Sequence, residues 1–229
     1  MKECINDQQL FNIVRKELYT AVVGDIMDKM GHFKQFLSSR IRPLKDDMFI
    51  VGRAMTVLES DTFSEYSGGV NPLLNKPFGM MLEALDDLKK DEVYICAGAS
   101  PDYAVWGELM ATRAKVCGAA GAVVDGYSRD TDGILDIGLP CFSYGPYAQD
   151  QAPRGKVIDY RVSIIINGVR INPGDIIIGD IDGVCVVPAQ IEEEVLTRAL
   201  EKARGEKTVK KMIEQGMSSK EAFEKYGIM

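Results

Sequence analysis

The fold is decided by residues 106–130, which read WGELMATRAKVCGAAGAVVDGYSRD. Apolar residues recur at mostly helical spacing over residues 106–116, Gly118 is typical of a helix end, and residues 122–124 form a short buried-strand run. The stretch therefore predicts a helix, a tight turn and a strand. This is one unit of an α/β fold, in which helices pack against a central sheet.

Three charged side chains of this stretch are predicted to lie close together. Glu108 stands in the first turn of the predicted helix, and Arg129 with Asp130 follows the predicted strand. The loop of residues 98–107 also leaves a predicted strand, over residues 93–97. Because ligands of open α/β sheets bind beyond the carboxyl ends of the strands, we expect Glu108, Arg129 and Asp130 to share one site.

Helix and strand patterns extend over the rest of the chain. Helical patterns cover residues 7–18, 20–31, 80–88 and the charged region from 189 onward, and strand patterns cover 48–58, 140–144, 160–166, 175–179 and 184–187. Helices alternate with strands early and β segments follow one another late, which predicts a mixed sheet. We therefore expect an α/β fold of one domain over residues 1–229, with a central mixed β-sheet and a C-terminal helical tail over about 189–229.

Turn and cap signals refine these boundaries. Thr20 is expected to cap the second helix, and Gly31 is expected to end it. Gly52 interrupts a strand pattern, which indicates either a bulge or the close approach of another backbone segment. Asn167 and Gly168 stand between two apolar runs and predict a tight hairpin.

Composition and charge exclude several classes of protein. At 229 residues with 46% hydrophobic residues, the chain is long enough to bury a sizeable core. The net charge of -7 argues against a nucleic-acid binder, because phosphate contacts need clustered Lys and Arg. No apolar run reaches the roughly 20 residues that span a bilayer, and the start MKECINDQQL lacks the apolar core of a signal peptide. We expect a cytoplasmic protein without nucleic-acid or membrane partners.

The cysteines and the single histidine argue against a thiol-based or zinc-based site. The five cysteines include no CxxC pair, and Cys96, Cys141 and Cys185 fall in or beside apolar strands, where free cysteine packs as a small hydrophobe. His32 is the only histidine and lies in a polar stretch. A zinc site and a Ser-His-Asp or Cys-His catalytic arrangement are therefore disfavoured.

Two further motifs have structural explanations. Gly118 and Gly121 stand between a predicted helix and a predicted strand, whereas the glycines of a dinucleotide fingerprint stand between a strand and a helix. We interpret them as a tight turn. Asp180 and Asp182 could bind a cation, but Asp with Gly is also typical of a hairpin turn, and the twelve-residue calcium-loop pattern is absent. The turn interpretation is favoured.

The set of Glu108, Arg129 and Asp130 has two explanations. An Arg-Asp pair at a strand end is often a surface salt bridge, and a Glu in a first helical turn is explained by the helix dipole. The surroundings favour a functional site, because a helix start offers free N–H groups to an anion and paired carboxylates suit hydrated Mg²⁺ or Mn²⁺. These residues therefore predict a pocket for a small carboxylate and a hard metal ion.

Several runs of the sequence together resemble the RraA-like family. They are TAVVGDIMDKMG, GRAMTV (residues 52–57), WGEL, GAAGAVVDGYSRD and NPGDIIIGDIDGVCVVP. The family includes the regulator of RNase E activity A and the class II 4-hydroxy-4-methyl-2-oxoglutarate/4-carboxy-4-hydroxy-2-oxoadipate aldolases. The resemblance extends from about Thr20 to the tail. It implies a swivelling β/β/α fold with a central mixed sheet, assembled as a homotrimer or as a hexamer of two trimers.

The resemblance also implies a role for each charged residue of the opening stretch. Asp130 would bind the divalent metal directly, and Glu108 would hold a metal-bound water at a position where the aldolases carry Asp. Arg129 would contact the oxygens of a pyruvyl group and stabilise its enolate. Glu206, from a neighbouring subunit, would be a further acidic residue at the metal site.

The same resemblance places other residues around the substrate. Gly107, Leu109 and Met110 would bind it at the helix start, with the backbone N–H groups of Leu109 and Met110 receiving the substrate carboxylate. The polar residues 59–78 are expected to form a loop that could cover the site. Aromatic residues next to the site could either shape it or serve only in packing; they are Tyr103, Trp106 and Tyr127.

The resemblance implies a divalent-metal-dependent carbon-carbon lyase that acts on 2-oxo acids through a pyruvate enolate. It would be of the 4-hydroxy-4-methyl-2-oxoglutarate aldolase type, with oxaloacetate decarboxylation as a side activity, because both reactions produce the same enolate. The alternative is a non-enzymatic regulator that binds a protein partner, for which an acidic surface would suit a basic segment. The three charged residues favour the enzyme, because a binding role needs no such set.

Overall fold

The computed structural model describes residues 6–62 and 72–228. The helices are α1 (Asp7–Glu17), α2 (Thr20–Lys29), α3 (Met81–Asp86), α4 (Glu108–Val116), α5 (Thr131–Ile137), α6 (Glu192–Glu214) and α7 (Ser219–Tyr226). The strands are β1 (Arg42–Pro43), β2 (Ile50–Asp61), β3 (Glu92–Ala97), β4 (Ala104–Trp106), β5 (Gly121–Val124), β6 (Tyr127–Ser128), β7 (Cys141–Ser143), β8 (Gly155–Tyr160), β9 (Ile164–Ile166), β10 (Val169–Ile171), β11 (Ile176–Asp180) and β12 (Gly183–Val187). Across the described ranges, every helix is too short or too polar to cross a membrane.

A mixed sheet of eight strands forms the centre of the molecule. Its order is β1-β7-β5-β3-β2-β11-β12, and β8 pairs with the end of β2. The strands β2, β3, β5 and β7 are parallel to one another, whereas β1, β8, β11 and β12 make antiparallel pairs. The predicted α/β fold with a central mixed sheet is therefore confirmed. Two smaller ladders, β9 with β10 and β4 with β6, lie outside this sheet.

The helices cover the sheet through separate apolar clusters. One cluster joins α1, α2 and α6 to β11 and β12, and Phe11 and Ile178 are among its buried side chains. Another joins α3 and α4 to β2 and β3, and it includes Tyr94 and Trp106. Burial of such surface is the main stabilising contribution to folding, at about 25 cal/mol per Å² of apolar area. The second cluster lies beneath the candidate site.

The first turn of α2 differs from its prediction. Thr20 is the first helical residue, and Tyr19 at the cap position makes no side-chain capping bond. Instead the carboxylate of Asp180 accepts hydrogen bonds from the Thr20 N–H and from the Thr20 hydroxyl, each at 2.7 Å. The prediction of Thr20 as the cap is wrong, because a carboxylate from β11 takes that place. Gly31 follows the helix with φ +83°, as predicted.

The helix α4 begins two residues later than its apolar pattern predicts. Trp106 ends the strand β4, Gly107 is the N-cap, and Glu108 is the first helical residue. The Trp106 ring is buried against Tyr94, with ring centroids 4.9 Å apart. Its apolar character therefore reflects the core beneath the strand, so the predicted helix start at Trp106 is wrong.

Gly52 marks a close backbone approach, which is one of the two predicted explanations. A methyl group at Gly52 would stand 2.4 Å from the carbonyl oxygen of Asp91. The bulge in this strand lies elsewhere, between Leu58 and Glu59. Only glycine leaves room at residue 52 for the backbone that passes over it.

Two predicted segments have different boundaries in the structure. The predicted loop over residues 59–78 begins later, because β2 continues to Asp61. Of that loop, residues 63–71 lie outside the described residues. The predicted strand over 160–166 is two strands, β8 and β9, and Arg161 with φ +54° turns the chain between them.

The predicted hairpin turns are present. Asn167 (φ 49°) and Gly168 (φ 77°) connect β9 to β10. In the turn between β11 and β12, the Asp180 carboxylate accepts from the N–H of Asp182 at 2.9 Å, in addition to its bonds with α2. Because the Asp180 carboxylate already accepts these hydrogen bonds, the turn interpretation is favoured over a cation site. The buried free cysteines are, as predicted, Cys96, Cys141 and Cys185.

The predicted C-terminal helical tail is present as two helices. The first, α6, packs through its apolar face with α1 and α2. Gly216, with φ +101°, follows its end. Ser218 then caps α7, and its hydroxyl accepts from the N–H of Glu221 at 3.2 Å.

Candidate active site

Two short parallel strands bring the predicted site residues together. The strands β4 and β6 lie side by side, with Ala104 opposite Tyr127 and Trp106 opposite Ser128. The N–H of Arg129 donates to the carbonyl oxygen of Trp106 at 2.9 Å. Both strands therefore end at one point, and the charged residues of the opening stretch follow them there.

Asp130 and Glu108 each lie against a glycine of the neighbouring segment. A methyl group at Gly107 would stand 2.9 Å from Oδ2 of Asp130, and one at Gly133 would stand 2.3 Å from Cδ of Glu108. Asp130 has φ +57° and is the N-cap residue of α5, in a left-handed conformation that Asp tolerates better than most residues. The first turns of α4 and α5 are thus neighbours, with one carboxylate on each.

Arg129 lies between two carboxylates. Its Nε is 3.5 Å from Oδ2 of Asp130, and its Nη1 is 3.0 Å from Oδ1 of Asp150. All three side chains are more than a third exposed, so these ion pairs contribute little to stability, at most about 1 kcal/mol each. Asp150 was not predicted, because it lies in an irregular segment without a periodic pattern.

A cleft of about 160 Å³ opens beside these residues. Its polar lining comes from Arg129, Asp130, Asp150 and Gln151. Its apolar lining comes mainly from the side chains of Phe78, Met81, Trp106, Leu109 and Met110. A small concave site with a few convergent polar groups is the usual form of a small-molecule pocket.

The first turn of α4 borders this cleft. Its N-cap, Gly107, has no side chain and makes no capping bond. The N–H groups of Leu109 and Met110 belong to the first helical turn, which has no acceptors within the helix. Because both residues line the cleft, their backbone can bind an anion there, assisted by the helix dipole.

The residues present suit a hydrated metal ion better than one enclosed by protein ligands. Within residues 6–62 and 72–228, no three His, Cys, Asp or Glu side chains are grouped to hold a metal. Asp130 offers a half-exposed carboxylate, and the missing side chain of Gly107 leaves its Oδ2 uncovered on that side. Mg²⁺ and Mn²⁺ accept one or two carboxylates and fill their remaining positions with water and substrate oxygens. Asp130 therefore fits such an ion, whereas Glu108 lies against Gly133 and is not among the residues that line the cleft.

Glu206 is paired within its own protomer. It lies on α6, where its Oε1 is 3.1 Å from Nζ of Lys202 and its other oxygen accepts from the Tyr19 hydroxyl. It does not line the cleft of the same chain. Its predicted contribution to a neighbouring subunit's site stays a prediction.

The three aromatic residues near the site differ in their surroundings. Trp106 lines the cleft and also packs on Tyr94, and its buried Nε1 has no hydrogen-bond partner within the described part of the chain. The Tyr103 hydroxyl donates to Oδ1 of Asp61 at 2.7 Å, and its ring is buried. Tyr127 packs edge-on against other tyrosines. Of the three, only Trp106 lines the cleft.

A buried carboxyl group lies behind the cleft wall. Glu59 is 2% exposed, and its Oε2 accepts from Nε2 of Gln151 at 2.9 Å. Burial raises the pKa of Glu59 to about 8, which the Cys96 thiol opposes and the charge of Asp61 reinforces. Glu59 was predicted as the start of a loop, and no sequence signal pointed to its contact with Gln151.

A family model described as RraA-like: Aldolase/RraA matches residues 20–186. The chain belongs to the RraA-like family. The predicted resemblance is therefore confirmed.

Individual relatives agree with this membership. A protein of Halalkalibacterium halodurans named "Putative 4-hydroxy-4-methyl-2-oxoglutarate aldolase" is 31% identical to this RraA-like chain over 204 residues, which are 89% of each protein. An uncharacterized protein from Pseudomonas syringae pv. tomato, whose crystal structure is known, is 27% identical to this chain in sequence. The two structures superpose with a TM-score of 0.78, and the match covers 94% of this chain and 96% of that one. Streptomyces coelicolor RraAS2, described as an unusual member of the RNase ES inhibitor RraA protein family, has a TM-score of 0.76 at 20% identity, over 90% and 96% of the two chains. That last similarity concerns the fold alone.

Proposed function

We propose that this protein is a divalent-metal-dependent carbon-carbon lyase that cleaves 2-oxo acids through a pyruvate enolate. The observation that carries the proposal is that Arg129 and Asp130 lie in one cleft with the uncapped start of α4. A cation, a carboxylate and free N–H groups are the parts needed to bind a 2-oxo acid beside a hard metal ion. The name of the Halalkalibacterium relative supports the 4-hydroxy-4-methyl-2-oxoglutarate aldolase type.

The proposed metal site uses Asp130 as the direct ligand and Glu108 as the partner of a bound water. A divalent cation held there withdraws electron density from the keto group of a bound 2-oxo acid. Mg²⁺ is the first candidate and Mn²⁺ the second, because both accept oxygen ligands and retain water.

The remaining groups of the cleft bind the substrate and stabilise its developing charge. The N–H groups of Leu109 and Met110 receive the substrate carboxylate, with Gly107 leaving the space beside them open. When the bond between C3 and C4 breaks, its electron pair moves toward C2 and negative charge develops on the C2 oxygen. The guanidinium of Arg129 stabilises that charge more strongly than it stabilises the neutral keto group.

The same arrangement accounts for a second reaction in the proposal. In oxaloacetate the bond that breaks releases CO₂, and its electron pair forms the same pyruvate enolate. In the aldol substrate the C4 hydroxyl gives its proton to solvent and the bond that breaks releases a second carbonyl compound instead. In both reactions the enolate then takes a proton from solvent at C3 and becomes pyruvate. Because the stabilised species is identical, we infer that one site catalyses both cleavages.

The assembly belongs to the proposal as well. Leu109 is 84% exposed at the lip of the cleft, which suits burial against another subunit. We infer a homotrimer or a hexamer of two trimers, in which Glu206 of a neighbouring subunit completes the site. Mass photometry tests the assembly, and a monomer at micromolar concentration would contradict it.

A protein-binding regulator is the second candidate function. The net charge of -7 favours it, because an acidic surface attracts basic segments of a partner. RraAS2 is described as belonging to the RNase ES inhibitor RraA protein family, and the shared fold is consistent with this candidate. A regulator without catalysis would release no pyruvate from either substrate.

The test is pyruvate release from oxaloacetate and from 4-hydroxy-4-methyl-2-oxoglutarate, with Mg²⁺ and with EDTA. We expect metal-dependent turnover that Asp130→Asn abolishes. Asp182→Asn is the matched control, because Asp182 is an exposed carboxylate in the turn between β11 and β12. Equal turnover by the Asp130→Asn variant and the wild type would overturn the site assignment.

A further inference from the structure

The segment that carries Asp150 is attached on both of its sides. At one end, the N–H of Ala104 in β4 donates to the carbonyl oxygen of Gln149 at 2.8 Å. At the other, Nε2 of Gln151 donates to the buried Oε2 of Glu59 at 2.9 Å. Asp150 stands between these two attachments and reaches Nη1 of Arg129 at 3.0 Å. A chain of contacts therefore runs from the core to the guanidinium.

The inner end of this series of contacts is Glu59, a buried carboxyl group. The titratable groups that face it are Asp61 on its own strand, Cys96 and Tyr94 on β3, and Tyr103. None of these carries a positive charge, and burial raises the pKa of Glu59 to about 8. The carboxyl group is therefore neutral at pH 7 and anchors Gln151 without a counter-ion from any residue that the structure describes.

Stability does not explain why a carboxyl group occupies this place. Its Oε1 is buried without a hydrogen-bond partner in the part of the chain that the structure describes. A buried polar atom left unpaired costs roughly 1–3 kcal/mol, and an apolar side chain would avoid that cost. Buried acids with strongly shifted protonation are found more often near functional sites than elsewhere.

A fixed orientation of the Arg129 guanidinium would favour catalysis. Its long side chain is 37% exposed, and fixing such a side chain costs about 1.5–2 kcal/mol of conformational entropy. A cation that stabilises a developing charge acts best when it is already oriented, because no reorganisation is then needed during the reaction. Asp130 alone contacts it at 3.5 Å, a weaker restraint than the 3.0 Å contact with Asp150.

We propose that Asp150 is a positioning residue for Arg129, and that buried Glu59 holds Asp150 in place through Gln151. An effect of Asp150 on catalysis rests on the proposed function, whereas its restraint on the rotation of the Arg129 side chain does not. The two are therefore tested by separate measurements on the same variants.

The first measurement is the rotation of the Arg129 guanidinium, followed by NMR of its ¹⁵N groups and assigned by the loss of its signals in Arg129→Lys. We expect slow rotation in the wild type and fast, averaged signals in Asp150→Ala, which removes the acceptor oxygen. If the guanidinium rotates equally in both proteins, the proposal is overturned. Neither result requires the protein to be an enzyme.

The second measurement is turnover of oxaloacetate by the same variants. We expect kcat of Asp150→Ala to fall about tenfold while KM changes by less than about threefold, since orientation matters most in the transition state. An unchanged kcat in an active enzyme contradicts the positioning role. A released guanidinium in a protein that shows no turnover at all supports the restraint and overturns the proposed lyase instead.

The anchor is tested with a matched pair at residue 59. Glu59→Gln keeps an oxygen that accepts from Gln151, so Arg129 should remain restrained. Glu59→Leu removes the acceptor, and the guanidinium should then rotate as in Asp150→Ala. Because Glu59→Leu alters the core, Gln151→Leu breaks the same bond from the other side. Slow rotation in both leucine variants would show that Glu59 does not hold the segment.

Discussion

The α-carbon of Gly107 lies against the carboxylate of Asp130, so closely that a methyl group on it would stand 2.9 Å from Oδ2. Gly107 has φ -149°, an extended conformation that any residue can adopt. The requirement for glycine is therefore space and not backbone conformation. That space lies at the helix start where the proposed substrate carboxylate binds and beside the proposed metal ligand.

Gly107→Ala should separate activity from folding. The added methyl group pushes the Asp130 carboxylate aside, and we expect metal-dependent turnover to fall about tenfold or more. Unfolding free energy should change by less than about 1 kcal/mol, because the backbone conformation suits alanine. Titration with Mn²⁺ followed by electron paramagnetic resonance should show weaker binding. Wild-type affinity and turnover in this variant would argue against Asp130 as the ligand.

Gly133→Ala should raise stability and lower activity. Alanine in place of glycine within α5 is worth roughly 0.5–1 kcal/mol of helix stability. Its methyl group, however, would stand 2.3 Å from Cδ of Glu108, whose flexible side chain must rotate away. We expect turnover to fall to the level of Glu108→Gln, measured beside thermal unfolding. Unchanged turnover in both variants would remove Glu108 from the site.

Asp180→Ala should destabilise the protein without any effect of metal ions. The variant loses the two bonds to Thr20 and the bond to the N–H of Asp182. We expect a loss of about 1–2 kcal/mol in urea unfolding, as for other helix caps. Asp182→Ala is the control and should cost less than about 0.5 kcal/mol. Stabilisation of the wild type by Ca²⁺, lost in both variants, would revive the cation interpretation.

Glu59 should make the stability of the protein fall as pH rises. Its ordinary pKa is 4.5, and burial raises the pKa in the folded protein to about 8. Below pH 4.5 the group is protonated in both states; between pH 4.5 and 8 only the unfolded chain releases the proton, which favours unfolding. The loss reaches about 5 kcal/mol above pH 8, at about 1.4 kcal/mol per pKa unit.

Glu59→Gln isolates this effect because it cannot ionise. Its unfolding free energy relative to the wild type should rise steadily from pH 4.5 to 8 and stay level above that. Urea unfolding of both proteins at several pH values measures the difference. A difference that does not change with pH would mean that Glu59 is ionised in the folded protein.

Local patterns predicted the mixed sheet, and they placed the charged residues of the opening stretch close to one another. The alternation of helix and strand in residues 106–130 predicted α4 and β5, and the carboxyl-end rule placed Glu108 near Arg129 and Asp130. The structure brings their segments together through β4 and β6. The helix and strand of this stretch could be predicted because they are local, whereas the strand order of the sheet also depends on distant pairs, such as Arg53 of β2 opposite Ile176 of β11.

Contacts between distant segments could not be predicted in the same way. Trp106 fitted a helical pattern, but its burial against Tyr94 places it in a strand. Asp180 caps α2 from 160 residues away, which no local cap signal at Thr20 reveals. Asp150 reaches Arg129 from an irregular segment whose position depends on a long-range contact with β4. Such features depend on tertiary contacts that override local propensity.

Hydrogen exchange of pyruvate tests most directly the claim that this cleft stabilises a pyruvate enolate, and it does not assume the physiological substrate. Incubated with pyruvate and Mg²⁺ in D₂O, the protein should replace the C3 protons of pyruvate with deuterium, as followed by ¹H NMR. We expect exchange that EDTA stops and that Arg129→Lys slows about a hundredfold, because the developing charge loses its oriented guanidinium. Exchange no faster than in buffer with Mg²⁺ alone would contradict the claim.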